Sequence, residues 1–103
     1  MGKYVLAYRG GGGHTTPEAQ QASMDAWGAW FGQLGESVAD WGAPFGPSTT
    51  VSGSGNTAGG GAELSGYSVV TADSLDAASG LAAGCPIIAE GGTVDVYEAI
   101  DMG

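Results

Sequence analysis

A chain of 103 residues suffices for one domain, 1–103, and its 43% hydrophobic content can fill a core while leaving a large share of the surface in water. Eleven Asp and Glu residues stand against Lys3 and Arg9, a formal net charge of −9, which excludes the basic surface that DNA, RNA or an anionic membrane requires. A single cysteine, Cys85, and a single histidine, His14, exclude an intrachain disulfide and a His/Cys metal centre.

Residues 3–9 read as a first strand, with Tyr4, Leu6 and Tyr8 on one face and Val5 and Ala7 on the other, so both faces ask for cover. The chain enters this strand with no basic n-region, and no stretch approaches the roughly 18 apolar residues of a membrane span, so a cytoplasmic protein is expected. Residues 10–15, the glycine run with His14, read as a flexible loop, after which Thr16 caps a helix with Pro17 at its first position and Glu18 in its first turn. Met24, Trp27, Phe31, Leu34 and Val38 recur at three- and four-residue spacing, with Trp30 widening the stripe, which predicts an amphipathic helix of roughly 18 to 20 residues ending near Gly35. Residues 38–44 read as a turn and residues 48–52 as a short strand. The Gly/Ser/Asn-rich stretch 53–61 reads as a mobile hairpin connection. Residues 67–71 are a strand; Ser74 caps a second helix that carries Asp76 in its first turn and is stopped by Gly84 and Pro86; residues 94–99 are the last strand.

The order strand, helix, strand, strand, helix, strand predicts an α+β fold of the ferredoxin-like βαββαβ kind: a four-stranded, mostly antiparallel sheet with two helices on one face. The face left bare is apolar, and stacking it on a second copy is the economical solution, so a homodimer is expected.

Lys3-Tyr4-Val5-Leu6, Trp27-Gly28-Ala29-Trp30-Phe31, Leu34-Gly35, Asp40-Trp41-Gly42-Ala43-Pro44, Gly66-Tyr67-Ser68-Val69-Val70 and Gly84-Cys85-Pro86, in that order, resemble the YCII-related (DGPF) family of small α+β proteins over nearly the whole chain. The resemblance implies a dimeric α+β barrel in which two ferredoxin-like sheets pack face to face. The Asp-Gly-Pro-Phe motif that names one branch is missing, and Asn56-Thr57-Ala58-Gly59-Gly60-Gly61 stands in its place. The YCII branch carries a His near the start of the first helix and an Asp after it as its proposed active-site pair, and His14 and Asp40 are the approximate counterparts.

On their own chemistry, His14 is the one side chain that titrates near neutrality unperturbed, and its glycine-rich loop could bring it onto a ligand. Asp40 could orient an imidazole or act as a base beside the apolar wall of Trp41; equally, it is an acidic turn residue. Arg9 could anchor a substrate carboxylate or pair with one of the protein's own acids. Tyr8 and Tyr67 could line a pocket with their hydroxyl tips or fill the core. Cys85 reads as a small buried thiol, and Trp27, Trp30 and Phe31 as core or dimer packing. The 10–13 glycine run lacks the Gly-Lys-Thr/Ser of a phosphate loop, so no cofactor is expected. Two main readings stay open. One is a small ligand-binding dimer of unassigned role. The other is a cofactor-free lyase, dehydrohalogenase or isomerase acting on a small carboxylated substrate, with His14 or Asp40 moving the proton and Arg9 holding the carboxylate. A purely structural partner protein is the third.

Overall fold

The structure, a computed structural model, describes residues 2–11, 16–58 and 64–102. It is a mixed α+β fold. Strand β1 (Gly2–Arg9), β2 (Val38–Pro44), β3 (Thr49–Ser52), β4 (Gly55–Ala58), β5 (Leu64–Ala72) and β6 (Thr93–Ala99) alternate with helices α1 (Pro17–Leu34), α2 (Leu75–Ala82) and α3 (Pro86–Ala89). Four strands form one sheet in the order β2-β5-β1-β6, every neighbouring pair antiparallel.

The alternation of β1 sorts its side chains. Tyr4, Leu6 and Tyr8 lie opposite Val70, Ser68 and Gly66 of β5 and Glu98, Val96 and Val94 of β6, so these residues share one face. That face carries the core: Leu6 and Val70 are fully buried and pack in one cluster with Trp30 and Leu34 of α1, Ala78 and Ala82 of α2, Cys85, and Ile87 of α3. Each fully buried Leu or Val contributes about 1.5–3 kcal/mol by leaving water. The small Ala72, Ala78 and Ala82 let α2 lie close to the sheet. Lys3, Val5, Ala7 and Arg9 of β1, Tyr67 and Val69 of β5, and Asp95 and Tyr97 of β6 fall on the other face, over which no described helix packs. The fold is accordingly a slab measuring 43 × 43 × 18 Å.

The helix signals act as the sequence reading expects. The Thr16 side chain accepts from the Ala19 N–H at 3.1 Å ahead of Pro17, and the Ser74 side chain accepts from the Ala77 N–H at 3.0 Å. Gly35, at φ 53°, ends α1. The stripe of α1 is the expected one except at its N-terminal end. Met24 is 68% exposed, whereas Trp30 and Leu34 are its buried residues and Trp27 and Phe31 pack partly buried beside them. The indole N–H of Trp30 donates to the Leu81 carbonyl at 3.1 Å, which ties α1 to α2 and draws the helix onto that side.

Three elements differ from the expectation. Residues 38–44 are not a turn but the edge strand β2, which turn-forming residues enter as bulges: the ladder with β5 shifts between Val38 and Asp40 and again between Asp40 and Ala43. Gly42 makes this possible. It sits at φ +76°, and a Cβ there would lie 1.7 Å from the Tyr67 carbonyl oxygen, so only glycine lets the two backbones approach. Residues 49–52 do not join the main sheet; they pair with β4, inside the stretch read as a mobile connection, to form a separate two-stranded hairpin. Every residue of β3 is exposed, and Ser52 stitches the tip by donating to the Gly55 carbonyl at 2.9 Å. A third short helix, α3, starts at Pro86, where the expectation had only a helix stop: Pro86 ends the reach of α2 and, at the first position of the next helix, restarts it.

Candidate functional site

Between α1 and the bulged edge of the sheet lies a cavity of about 400 Å³, a volume in the range of small-molecule pockets. Trp27 and Phe31, one helical turn apart on α1, form one wall; Tyr8 of β1 and Ser68 of β5 form the floor; Trp41 to Pro44 of β2 close the open side, and Ile87 of α3 completes it. Four rings stand in a connected row. Tyr8 meets Trp27 edge to face at 5.1 Å between centroids, Trp27 lies 6.0 Å from Phe31, and Phe31 meets Trp41 edge to face at 4.8 Å. No charged residue is among those described as lining it.

The bulge of β2 gives the cavity its polar thread. The Tyr8 hydroxyl donates to Ser68 Oγ at 2.8 Å, and Ser68 Oγ donates to the Trp41 carbonyl at 2.7 Å, a backbone oxygen that the irregular ladder leaves for a side chain. Burial pushes the Tyr8 phenol up to about 12, against a smaller opposing effect of its bond to Ser68. At neutral pH Tyr8 therefore keeps its proton, and that proton is committed to Ser68. The arrangement suits binding rather than proton transfer.

A second hollow of about 270 Å³ adjoins the first, sharing Trp27, Ser65 and Ile87 and adding Gly10, Gly11, Ser23 and Glu90. There the Ser23 hydroxyl donates to Glu90 Oε2 at 2.8 Å. A more open depression of about 650 Å³ runs along β6, between Leu75, Ser79 and Ile88 on one side and Val96 and Tyr97 on the other, with Arg9 and Asp95 at its margin. Its open form encloses less of a ligand than the aromatic cavity does.

The residues singled out in the sequence are distributed as follows. His14 lies outside the described residues. Asp40 is exposed and its Oδ1 accepts from the Gly42 N–H at 2.9 Å, so it braces the bulge. Arg9 donates through Nε to Asp95 Oδ2 at 2.6 Å, an ion pair on the helix-free face. Asp40 is in register with Val69, which faces Val5, while Arg9 lies four residues further along β1; with strands ~4.8 Å apart and ~3.4 Å per residue the two are on the order of 16 Å apart. They are not brought together. Tyr8 is in the cavity floor. Tyr67 borders the cavity, but alternation along β5 turns its ring to the face away from Ser68, where it stacks on Phe45 at 5.8 Å. Cys85 is buried, and burial pushes its thiol up to about 11. Among the described residues no group of His, Cys, Asp and Glu could hold a metal ion, and no helix is long and apolar enough to cross a membrane.

Trp27, Phe31 and Ser68 are the site residues the sequence reading did not assign to a site, and Trp41 entered it only as an apolar wall for Asp40. No local signal separates them from core residues, because Trp27 and Phe31 also pack against the core cluster and only the tertiary fold brings Trp41 and Ser68 beside them. No protein-family profile matches the chain, nor does any curated protein or solved structure.

Proposed function

We propose that the chain is a small-molecule-binding module that works as a homodimer. The observation that carries the reading is the cavity itself: about 400 Å³ walled by Tyr8, Trp27, Phe31 and Trp41, without a charged side chain among its described lining and with the Tyr8 and Ser68 hydroxyls bound to each other. Aromatic surface gathered in a concave site is stabilised when an apolar ligand covers it.

Dimerisation is supported by the bare sheet face, where the half-buried Val5, Tyr67 and Val69 lie together with Tyr97, which is 55% exposed, and the chain's third dimension is only 18 Å. With the hairpin β3–β4 taken as an insertion, the succession β1, α1, β2, β5, α2, β6 and the antiparallel sheet support a ferredoxin-like βαββαβ reading, in which two sheets stacked by their bare faces would form a dimeric α+β barrel. Membership of the YCII-related family is proposed on the same footing.

The test is a titration with N-phenyl-1-naphthylamine, a neutral probe that fluoresces in apolar surroundings. Saturable enhancement is expected, with Kd raised about three- to tenfold by Trp41→Ala, since an aromatic contact is worth roughly 0.5–1.5 kcal/mol. Trp41 is 61% exposed, so its removal spares the core. An absence of enhancement, or the same Kd in both proteins, overturns the reading.

A further inference from the structure

We infer that the ligand of the aromatic cavity is an organic cation: an alkylated ammonium with an apolar body, held against the ring faces. This inference rests on the ligand-binding reading and narrows it.

Aromatic faces are the negative ends of the ring quadrupoles, and four connected rings, Tyr8, Trp27, Phe31 and Trp41, converge on the cavity. The hydroxyls point the same way electrically. Tyr8 gives its proton to Ser68, and Ser68 gives its own to the Trp41 carbonyl, so neither of these hydroxyls has a proton left to offer an anionic ligand. Positive charge does not compete. The chain has two cationic side chains besides its histidine, and both Lys3 and Arg9 sit at odd positions of β1, on the face opposite Tyr8, with Arg9 closed on Asp95. The formal net charge of −9 then draws cations toward the protein and repels carboxylates. A carboxylated ligand finds no cationic anchor among the described lining residues. Alkyl groups on the nitrogen matter because they spread its charge and lower the cost of leaving water, where a bare ammonium would need a carboxylate that the described lining lacks.

The experiment compares phenyltrimethylammonium with tert-butylbenzene, which has the same shape with carbon in place of the charged nitrogen, by NMR titration of the full chain and of Trp27→Leu and Trp41→Leu, each checked for fold by circular dichroism. The cation is expected to bind about tenfold more tightly than the neutral isostere, with the preference reduced in both leucine variants, which keep apolar bulk and lose the ring face. Equal or tighter binding of tert-butylbenzene overturns the cation inference and leaves the ligand-binding reading standing. Binding of neither probe overturns both. Binding of the cation that neither leucine variant weakens places it elsewhere on the acidic surface and overturns the inference.

Discussion

Replacing Ser68 by Ala removes the hinge of the Tyr8–Ser68–Trp41 thread and tests the site's architecture without touching a ring. Ser68 is buried and makes two short hydrogen bonds, one accepted from Tyr8 and one donated to Trp41, each worth about 0.5–1.5 kcal/mol net, and its loss strands the buried Tyr8 hydroxyl and the Trp41 carbonyl. The expected cost is about 2–3 kcal/mol, which for a domain near this size lowers Tm by roughly 10–20 °C. Tyr8→Phe removes one bond and strands little, at about 1 kcal/mol. The double variant no longer carries the stranded phenol, so its cost should be about 2 kcal/mol, some 1 kcal/mol or more below the sum of the singles. Urea unfolding followed by circular dichroism reads all four proteins. Strict additivity, within about 0.3 kcal/mol, or a Ser68→Ala cost below about 0.5 kcal/mol, would refute a thread sealed from water.

Two further expectations follow from the same structure. The buried Tyr8 and Cys85 hold their protons in the native state up to about 12 and 11, while the unfolded chain releases them near 10 and 9, so between pH 9 and 12 the unfolded state binds fewer protons and stability falls as pH rises. The urea midpoint should be steady below pH 9 and drop steeply toward pH 11–12, less so in Tyr8→Phe; a midpoint flat across that window counts against both burials. Native mass spectrometry at micromolar concentration should show a species near twice 10.1 kDa, and a stable monomer would contradict the stacking of the bare sheet faces.

The caps, the two long helices and the strands at 3–9, 67–71 and 94–99 were legible in the sequence because local chemistry dictates them: Thr16 and Ser74 satisfy free N–H groups within their own turn, and β-branched and aromatic alternation reads directly as a strand. Strand β2 was not legible, because Asp40, Gly42 and Pro44 are turn residues by local preference, and only the partner strand β5 makes bulges of them. The same gap hid the site. Tyr8 could be named as a pocket candidate, but the cavity depends on Trp41 swinging onto Phe31 and on its carbonyl meeting Ser68, contacts between residues 27 apart or separated by a strand order that no local pattern encodes. Arg9 and Asp40 drew notice by their charge, and charge is what the protein spends on its own ion pair and its own bulge.

The claim that the cavity is a binding site meets its most direct test in the indole N–H signals of Trp27, Trp30 and Trp41 in a ¹⁵N-labelled sample titrated with N-phenyl-1-naphthylamine. Trp27 and Trp41 line the cavity, whereas the Trp30 N–H is bonded to the Leu81 carbonyl within the core, so it serves as an internal control. The Trp27 and Trp41 signals should shift along saturating curves with a common Kd, while the Trp30 signal, one ring removed from the cavity, moves least. No shift at saturating probe, or a Trp30 shift as large as the other two, would contradict a ligand seated between α1 and the bulged edge of the sheet.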